Sequence, residues 1–166
     1  MILGMSTATY TLLHVLISLV GIGSGLVVMF GLLAQKRLDG WTWLFLTTTA
    51  LTSITGFGFP FHGLSPAHVV GIISLVTLAI VIPARYAFRL AGPWRWIYVV
   101  GSAIALWFNV FVLIVQSFEK IPALRELAPT QKEPPFVVAQ VLALLIFATL
   151  TVFATVRFHP ERVREA

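Results

Sequence analysis

Cysteine is absent from this chain of 166 residues. Its absence excludes disulfide bonds, thiolate metal ligands and a thiol nucleophile, so a bound metal ion would need histidine, carboxylate or backbone ligands. Charged residues are scarce, at 10% of the chain, whereas soluble domains contain about 25%. A soluble protein of this length needs a polar exterior, and this composition cannot supply one.

The chain contains six acidic residues, and none lies in the middle of an apolar run. This pattern argues against proton-coupled or sodium-coupled transport, which generally uses buried Asp or Glu. No phosphate-binding loop, zinc-protease helix or nucleophile elbow occurs, and no catalytic residue is assigned. The basic residues lie at loop ends without a soluble domain to present them, so no nucleic-acid partner is predicted.

Long apolar runs fill most of the chain, which is 58% hydrophobic with a mean hydropathy of +0.96. A run of about 20 apolar residues crosses a hydrocarbon core of about 30 Å. Five runs predict transmembrane helices over residues 10–33, 41–61, 68–88, 96–118 and 136–156. The first run lacks a basic leading segment and a cleavage site, so we expect a retained helix. The sequence therefore predicts an all-α, polytopic membrane bundle that forms one domain over residues 1–166.

Most Lys and Arg residues follow the first, third and fifth predicted spans, namely Lys36, Arg37, Arg85, Arg89, Arg95, Arg157, Arg162 and Arg164. By the positive-inside bias these segments are cytoplasmic, so the N-terminus is predicted outside and the C-terminus inside. Anionic lipid head groups are the expected partners of the cytoplasmic face. Arg85 and Arg89, at the end of the third span, are expected to snorkel toward that interface.

His14 lies about one turn into the first predicted span. It shares a narrow helical stripe with Ser18, Gly21 and Gly25, and small residues at this spacing allow close helix packing. His14 is therefore predicted to face the bundle, where an ionisable side chain indicates a functional site. The alternative is a histidine satisfied by a single hydrogen bond between helices.

Two further histidines fall on the predicted outer side. His68 lies in the first turn of the third span, where the helix dipole favours a neutral imidazole that can bind a metal ion. His62 lies in the preceding turn, and Glu119 is the carboxylate at the outer end of the fourth span. His14, His68 and His62, with Glu119 for a metal ion, are the predicted ligands of one cofactor. Interfacial side chains bonded to water or loop carbonyls remain the alternative.

Polar residues inside the spans line up on helix faces. Thr52, Asn109, Gln116 and Gln140 are predicted to form a polar seam within the packed bundle. Hydrogen bonds between membrane helices are common and contribute about 0.6 to 2 kcal/mol each. A substrate path along the same residues is the alternative.

The stretches TSITGFGFPFHGLSPAHVVGIISL and WRWIYVVGSAIALWFNVFVLIVQSFEKIPALRELAPTQKEPPF resemble a group of small bacterial inner-membrane proteins without a known activity. This resemblance covers most of the chain from the second span onward and implies a multi-pass protein of the bacterial inner membrane. The chain also bears a looser likeness to b-type cytochrome bundles, where histidines on different membrane helices bind haem iron. It lacks the two histidine pairs of a two-haem protein, so the likeness implies at most one haem b.

These observations lead to one principal hypothesis and two alternatives. The principal hypothesis is a haem or transition-metal ion on the outer side that serves electron transfer, with a quinone as partner. The first alternative is a non-catalytic accessory or structural subunit of a larger membrane complex. The second is a small transporter or channel that works as a homo-oligomer.

Overall fold

The computed structural model describes residues 2, 4–59 and 66–159. These residues form α1 (Thr7–Leu33), α2 (Asp39–Gly56), α3 (Pro66–Tyr86), α4 (Trp94–Lys120), α5 (Pro122–Leu127) and α6 (Pro134–Arg157). The described part of the chain contains no β-sheet, and the all-α prediction is confirmed. Each predicted span overlaps a long helix that begins two or three residues earlier, and α2 and α3 end at Gly56 and Tyr86, before the predicted ends at residues 61 and 88. The earlier starts arise because the first helical turn contains capping and interfacial residues that an apolar run does not include.

Four helices are long and apolar enough to cross a membrane, Thr7–Leu33, His68–Tyr86, Trp94–Lys120 and Pro134–Arg157. α2 is not among them because it carries Asp39 and seven hydroxyl side chains within 18 residues. Four of these hydroxyl residues are buried, namely Thr42, Thr48, Thr49 and Ser53, whereas the exposed face of α2 carries Trp43 and Ile54. These four hydroxyl residues of α2 therefore face other helices.

Consecutive long helices run antiparallel, so the bundle has two ends. The "His14 end" comprises the starts of α1, α3 and α6 and the ends of α2 and α4, and the "Arg85 end" is the opposite one. α4 lies at the centre and contacts each of the other described helices. The main apolar core lies toward the Arg85 end, where Met29, Phe45, Val81, Tyr98 and Phe158 are all buried.

The small-residue stripe of α1 lies against α2 and α4. Gly21 and Gly25 are buried, as the sequence predicted. A Cβ atom on Gly25 would lie 2.6 Å from Leu106 Cδ1 and 2.8 Å from the Phe45 ring. Only a residue without a side chain fits this gap unless its neighbours shift, so Gly25 allows α1 to touch both helices.

Arg85 lies at the end of α3 and is only 2% exposed. Its Nη2 donates hydrogen bonds to the Asp39 carboxylate and, at 3.2 Å, to the Arg37 carbonyl. The guanidinium carbon lies 5.3 Å from the centre of the Tyr98 ring, a cation–π contact. The expectation that Arg85 snorkels to the interface is wrong, because α2 brings Asp39 close enough to pair with the guanidinium.

The end of α6 is anchored to the start of α4. Arg95 Nη1 donates to the carbonyl oxygens of Thr155, at 2.9 Å, and Phe158, at 2.6 Å. These carbonyls have no partner within the last turn of a helix, and a basic side chain satisfies them. Arg95 therefore fixes the position of α6 at the Arg85 end.

Candidate functional site

A cavity of about 140 Å³ lies at the His14 end between α1, α2, α3 and α4. Its wall is mainly apolar and partly open, and its polar members are His14, Ser18, Thr52, Ser53, Ser74, Asn109 and Gln116. None of the described residues that line it is charged. An apolar cavity with a few converging polar groups is the usual form of a small-ligand site.

The hydrogen bonds around His14 define which ring nitrogen carries the proton. His14 Nδ1 lies 2.8 Å from Thr55 Oγ1, and the same hydroxyl lies 2.7 Å from the Leu51 carbonyl oxygen. The Thr52 carbonyl oxygen also lies 3.2 Å from this hydroxyl, and Thr55 has only one hydroxyl proton, so all of these contacts are hydrogen bonds only if that proton is directed at the backbone carbonyls. Thr55 then accepts from His14 Nδ1–H, and this network assigns an unprotonated Nε2. Nε2 can accept a hydrogen bond or bind a metal ion.

One aromatic ring packs against the His14 ring, and a second aromatic residue joins the helices beside it. The Phe59 ring meets it edge to face, with ring centres 5.3 Å apart. The buried Tyr10, one turn before His14 in α1, donates its hydroxyl to the Thr55 carbonyl at 2.8 Å. Tyr10 and His14 thus both bind Thr55, so the start of α1 is fixed to the end of α2. The Nδ1 hydrogen bond and the Phe59 contact both restrain the orientation of the His14 ring.

The cavity hydroxyl groups fall into two classes. Ser18 and Ser53 donate to carbonyls of their own helices, at 2.7 Å to His14 and 3.0 Å to Thr49. Thr52 Oγ1 and Ser74 Oγ are buried without a hydrogen-bond partner among the described residues. A buried polar group without a hydrogen-bond partner lowers the stability of a protein by about 1 to 3 kcal/mol. Both residues line the cavity, so these two hydroxyls retain hydrogen-bonding capacity in its wall, although neither oxygen has accessible surface in this structure.

Asn109 forms the deeper part of the cavity wall. Its Nδ2 donates to Thr49 Oγ1 at 3.1 Å, which connects α4 to α2. Gly21 of α1 lies beside this pair, and a Cβ atom there would lie 3.2 Å from Thr48 Oγ1 and 3.6 Å from Asn109 Nδ2. The missing side chain at Gly21 therefore allows three helices to meet at this polar pair.

The predicted histidine ligands are distributed unequally. His14 lines the cavity, whereas His68 is not among its lining residues and has its ring 5.7 Å from the Phe57 ring. His62 lies outside the described residues. Within residues 4–59 and 66–159, no group of three His, Cys, Asp or Glu side chains is placed to hold a metal ion.

Glu119 lies near the end of α4 and is occupied by its neighbours. Its Oε1 lies 3.0 Å from Lys120 Nζ, and its Oε2 accepts from Gln116 Nε2 at 3.5 Å. Both Glu119 and Lys120 are largely exposed. Glu119 therefore touches the cavity only indirectly, through Gln116.

The predicted polar seam divides in two. Thr52, Asn109 and Gln116 line the cavity together, whereas Gln140 of α6 donates to the Phe111 carbonyl at 3.2 Å. Sequence reasoning did not identify Ser74, the buried hydroxyl on α3. Gly71, three residues earlier, also lines the cavity, and this pair of small residues on one helix face was the available signal.

No protein-family model, no curated protein and no solved structure matches this chain significantly. The resemblance to small bacterial inner-membrane proteins therefore stays a prediction. The case for a function rests on the cavity and on the groups that line it.

Proposed function

We propose that all five long helices cross the bacterial inner membrane, with the Arg85 end cytoplasmic and the His14 end outside. α2 is about 27 Å long at 1.5 Å per residue, close to the hydrocarbon thickness of about 30 Å. Its buried hydroxyl groups support a membrane location because they avoid lipid. The Lys and Arg residues at the Arg85 end support this orientation and contact with anionic lipids.

The function that this geometry supports best is binding of a small lipid-soluble ring compound of the quinone and phenol class. One observation carries the proposal: a ring-sized cavity that contains polar groups without partners. A cavity of about 150 Å³ lined by apolar side chains binds one benzene ring, and this cavity measures about 140 Å³. Here His14 Nε2, Thr52 Oγ1 and Ser74 Oγ add hydrogen-bonding groups. A ring with oxygen substituents would satisfy them.

The open side of the cavity supports a ligand that is dissolved in the bilayer. Val15 and Leu19 of α1 and Leu113 of α4 line the cavity and are exposed. These side chains are apolar, and in a membrane bundle they face lipid. A ring compound would enter between α1 and α4, and an apolar tail on the ring would remain among the lipid chains.

A haem or transition-metal ion for electron transfer is the second candidate, and the His14 tautomer favours it. Histidines that bind metal ions usually donate the other ring N–H to a neighbouring oxygen, as His14 Nδ1 does to Thr55. His68 or His62 would be needed as a further ligand. A porphyrin contains four pyrrole rings, so a cavity for one ring would have to widen, and the ring compound fits better.

The two candidates can be separated on the full chain purified in mild detergent. Organic extraction and mass spectrometry should recover a quinone or phenol in a near-stoichiometric amount. Ser74→Leu, which fills the cavity, should lose this compound, whereas Val76→Leu on the exposed face of α3 should keep it. Equal recovery from both variants, or none from the unaltered chain, would contradict the proposal.

A visible spectrum before and after dithionite, with metal analysis, tests the second candidate on the same sample. A Soret band that shifts on reduction, or a stoichiometric transition metal, would favour the cofactor at His14. A sample without ring compound, haem or metal would leave the accessory-subunit function as the best remaining explanation.

A further inference from the structure

We infer that the cavity prefers a ring that carries a hydroxyl group, a phenol or hydroquinone, over a quinone whose oxygens are carbonyls. This inference rests on the proposed function, because it concerns which ring compounds the same cavity binds. It follows from the protonation of one nitrogen, His14 Nε2, and from the hydroxyl of Thr55, which sets that protonation.

An unprotonated Nε2 can accept a hydrogen bond and cannot donate one. A phenol O–H directed at Nε2 would complete the chain of bonds from the ligand through His14 and Thr55 to the Leu51 carbonyl. A quinone carbonyl in the same place would direct its lone pairs at the lone pair of Nε2. Sites built to bond a hydroxyl group reject an analogue without it, because their own polar groups are then left without partners.

The other polar groups of the cavity do not distinguish the two forms. The hydroxyls of Thr52 and Ser74 can each donate or accept, so they suit either a carbonyl or a hydroxyl group. Asn109 Nδ2 already donates to Thr49. Discrimination between the two forms therefore falls on His14.

Thr55 acts as a positioning residue because it touches His14 and is not itself a lining residue of the cavity. Thr55→Val removes the acceptor of the Nδ1 proton, so the ring is free to carry its proton on Nε2 instead. Thr55→Ser keeps a hydroxyl at the same place and is the matched control. The valine variant should lose the preference between ring compounds and keep the cavity.

The test uses the full chain, labelled with ¹⁵N, in lipid nanodiscs. The ring ¹⁵N signals of His14, assigned by comparison with His14→Gln, report both its tautomer and the occupancy of the cavity. Phenol and toluene have nearly the same shape, and hydroquinone and 1,4-benzoquinone share one carbon skeleton, so both pairs are titrated. We expect phenol and hydroquinone to bind about tenfold more tightly than their counterparts, a factor that corresponds to one net hydrogen bond.

Thr55→Val should reduce both preferences to about twofold or less while toluene binds unchanged, and Thr55→Ser should retain the full preference. A proton on Nε2 in the ligand-free chain would overturn the inference. Equal binding within each pair, or tighter binding of benzoquinone, would also overturn it while leaving a ring-binding cavity in place. If none of the four compounds moves the His14 signals, the proposed function itself fails.

Discussion

The two ends of the bundle differ in how they use polar side chains. At the Arg85 end, the buried Arg85 pairs with the exposed carboxylate of Asp39, and the Tyr98 hydroxyl lies 3.3 Å from Thr42 Oγ1 next to the apolar core. At the His14 end the apolar core stops and a cavity takes its place, with Thr52 and Ser74 left without partners among the described residues. Among the described residues both ends keep buried polar atoms without a hydrogen-bond partner, Arg37 Nε and Arg85 Nη1 at one end and Thr52 Oγ1 and Ser74 Oγ at the other. The difference is that Thr52 and Ser74 line a cavity, whereas Arg37 and Arg85 lie beside the Asp39 carboxylate.

We expect the largest loss of stability from a substitution at the Arg85 end. Asp39→Ala removes the carboxylate partner of a buried guanidinium, and because this carboxylate is itself 71% exposed to solvent, the free energy of unfolding should fall by about 2 kcal/mol, less than for a fully buried pair. Asp39→Asn keeps an acceptor oxygen and should lower the free energy of unfolding by less than Asp39→Ala does. Thermal unfolding of both variants in one detergent measures the difference. An unchanged midpoint for Asp39→Ala would show that the ion pair does not stabilise this end.

The next largest loss of stability is expected at Gly25, in the small-residue stripe of α1 between the two ends. Gly25→Ala places a Cβ atom against Leu106 and Phe45 and should destabilise the bundle by about 1 to 2 kcal/mol through overpacking. Gly23→Ala is the matched control, since a Cβ atom on Gly23 would have nothing within 4 Å. Unfolding midpoints should fall for the first variant and hold or rise for the second. If both variants unfold alike, α1 does not pack as closely as the structure indicates.

Ser74→Ala tests whether the buried hydroxyl at the His14 end serves a ligand or the fold. The buried Ser74 hydroxyl has no partner among the described residues, so its removal should stabilise the ligand-free chain by about 1 kcal/mol and weaken ring binding. Thr49→Val should destabilise the ligand-free chain, because Thr49 accepts a hydrogen bond from Asn109. Unfolding curves with and without added phenol measure both effects. A destabilised Ser74→Ala chain would mean that the hydroxyl already serves the fold.

The smallest expected effect concerns acid at the start of α6. Desolvation raises the pKa of the Glu133 carboxyl, but the hydrogen bonds from the Thr130 hydroxyl and from the backbone N–H groups of Glu133, Lys132 and Thr130 together outweigh it. The net pKa therefore lies below the ordinary value of 4.5. The folded state binds this proton less readily, so the stability from these bonds is complete above that value and is lost as the pH falls through the lowered pKa.

Hydrogen exchange at the two ends of α6 measures this loss. Acid should loosen the first turn of α6, while the last turn, held by Arg95 at the Thr155 and Phe158 carbonyls, should respond less. Thr130→Val should make the first turn less sensitive to acid. Equal loosening at both ends would indicate that the effect of acid is not local to Glu133.

The all-α fold and the positions of the four long apolar helices could be predicted from the sequence because apolar run length is a local property. The inward stripe of α1 could also be predicted, because the period of a helix determines which residues share a face. Both properties depend on neighbours within about a dozen residues, so they need no knowledge of how the helices pack.

Contacts between residues far apart in the sequence depend on how the helices pack. Arg85 is buried because Asp39, 46 residues away, lies within reach of it, and the His14 tautomer depends on Thr55, 41 residues away. The cavity needs faces from four helices, and apolar patterns of similar hydropathy are compatible with many relative rotations of those helices. The rotation in this structure places His14 beside hydroxyl groups of α2 and α3 in the cavity wall, where His68 is not a lining residue.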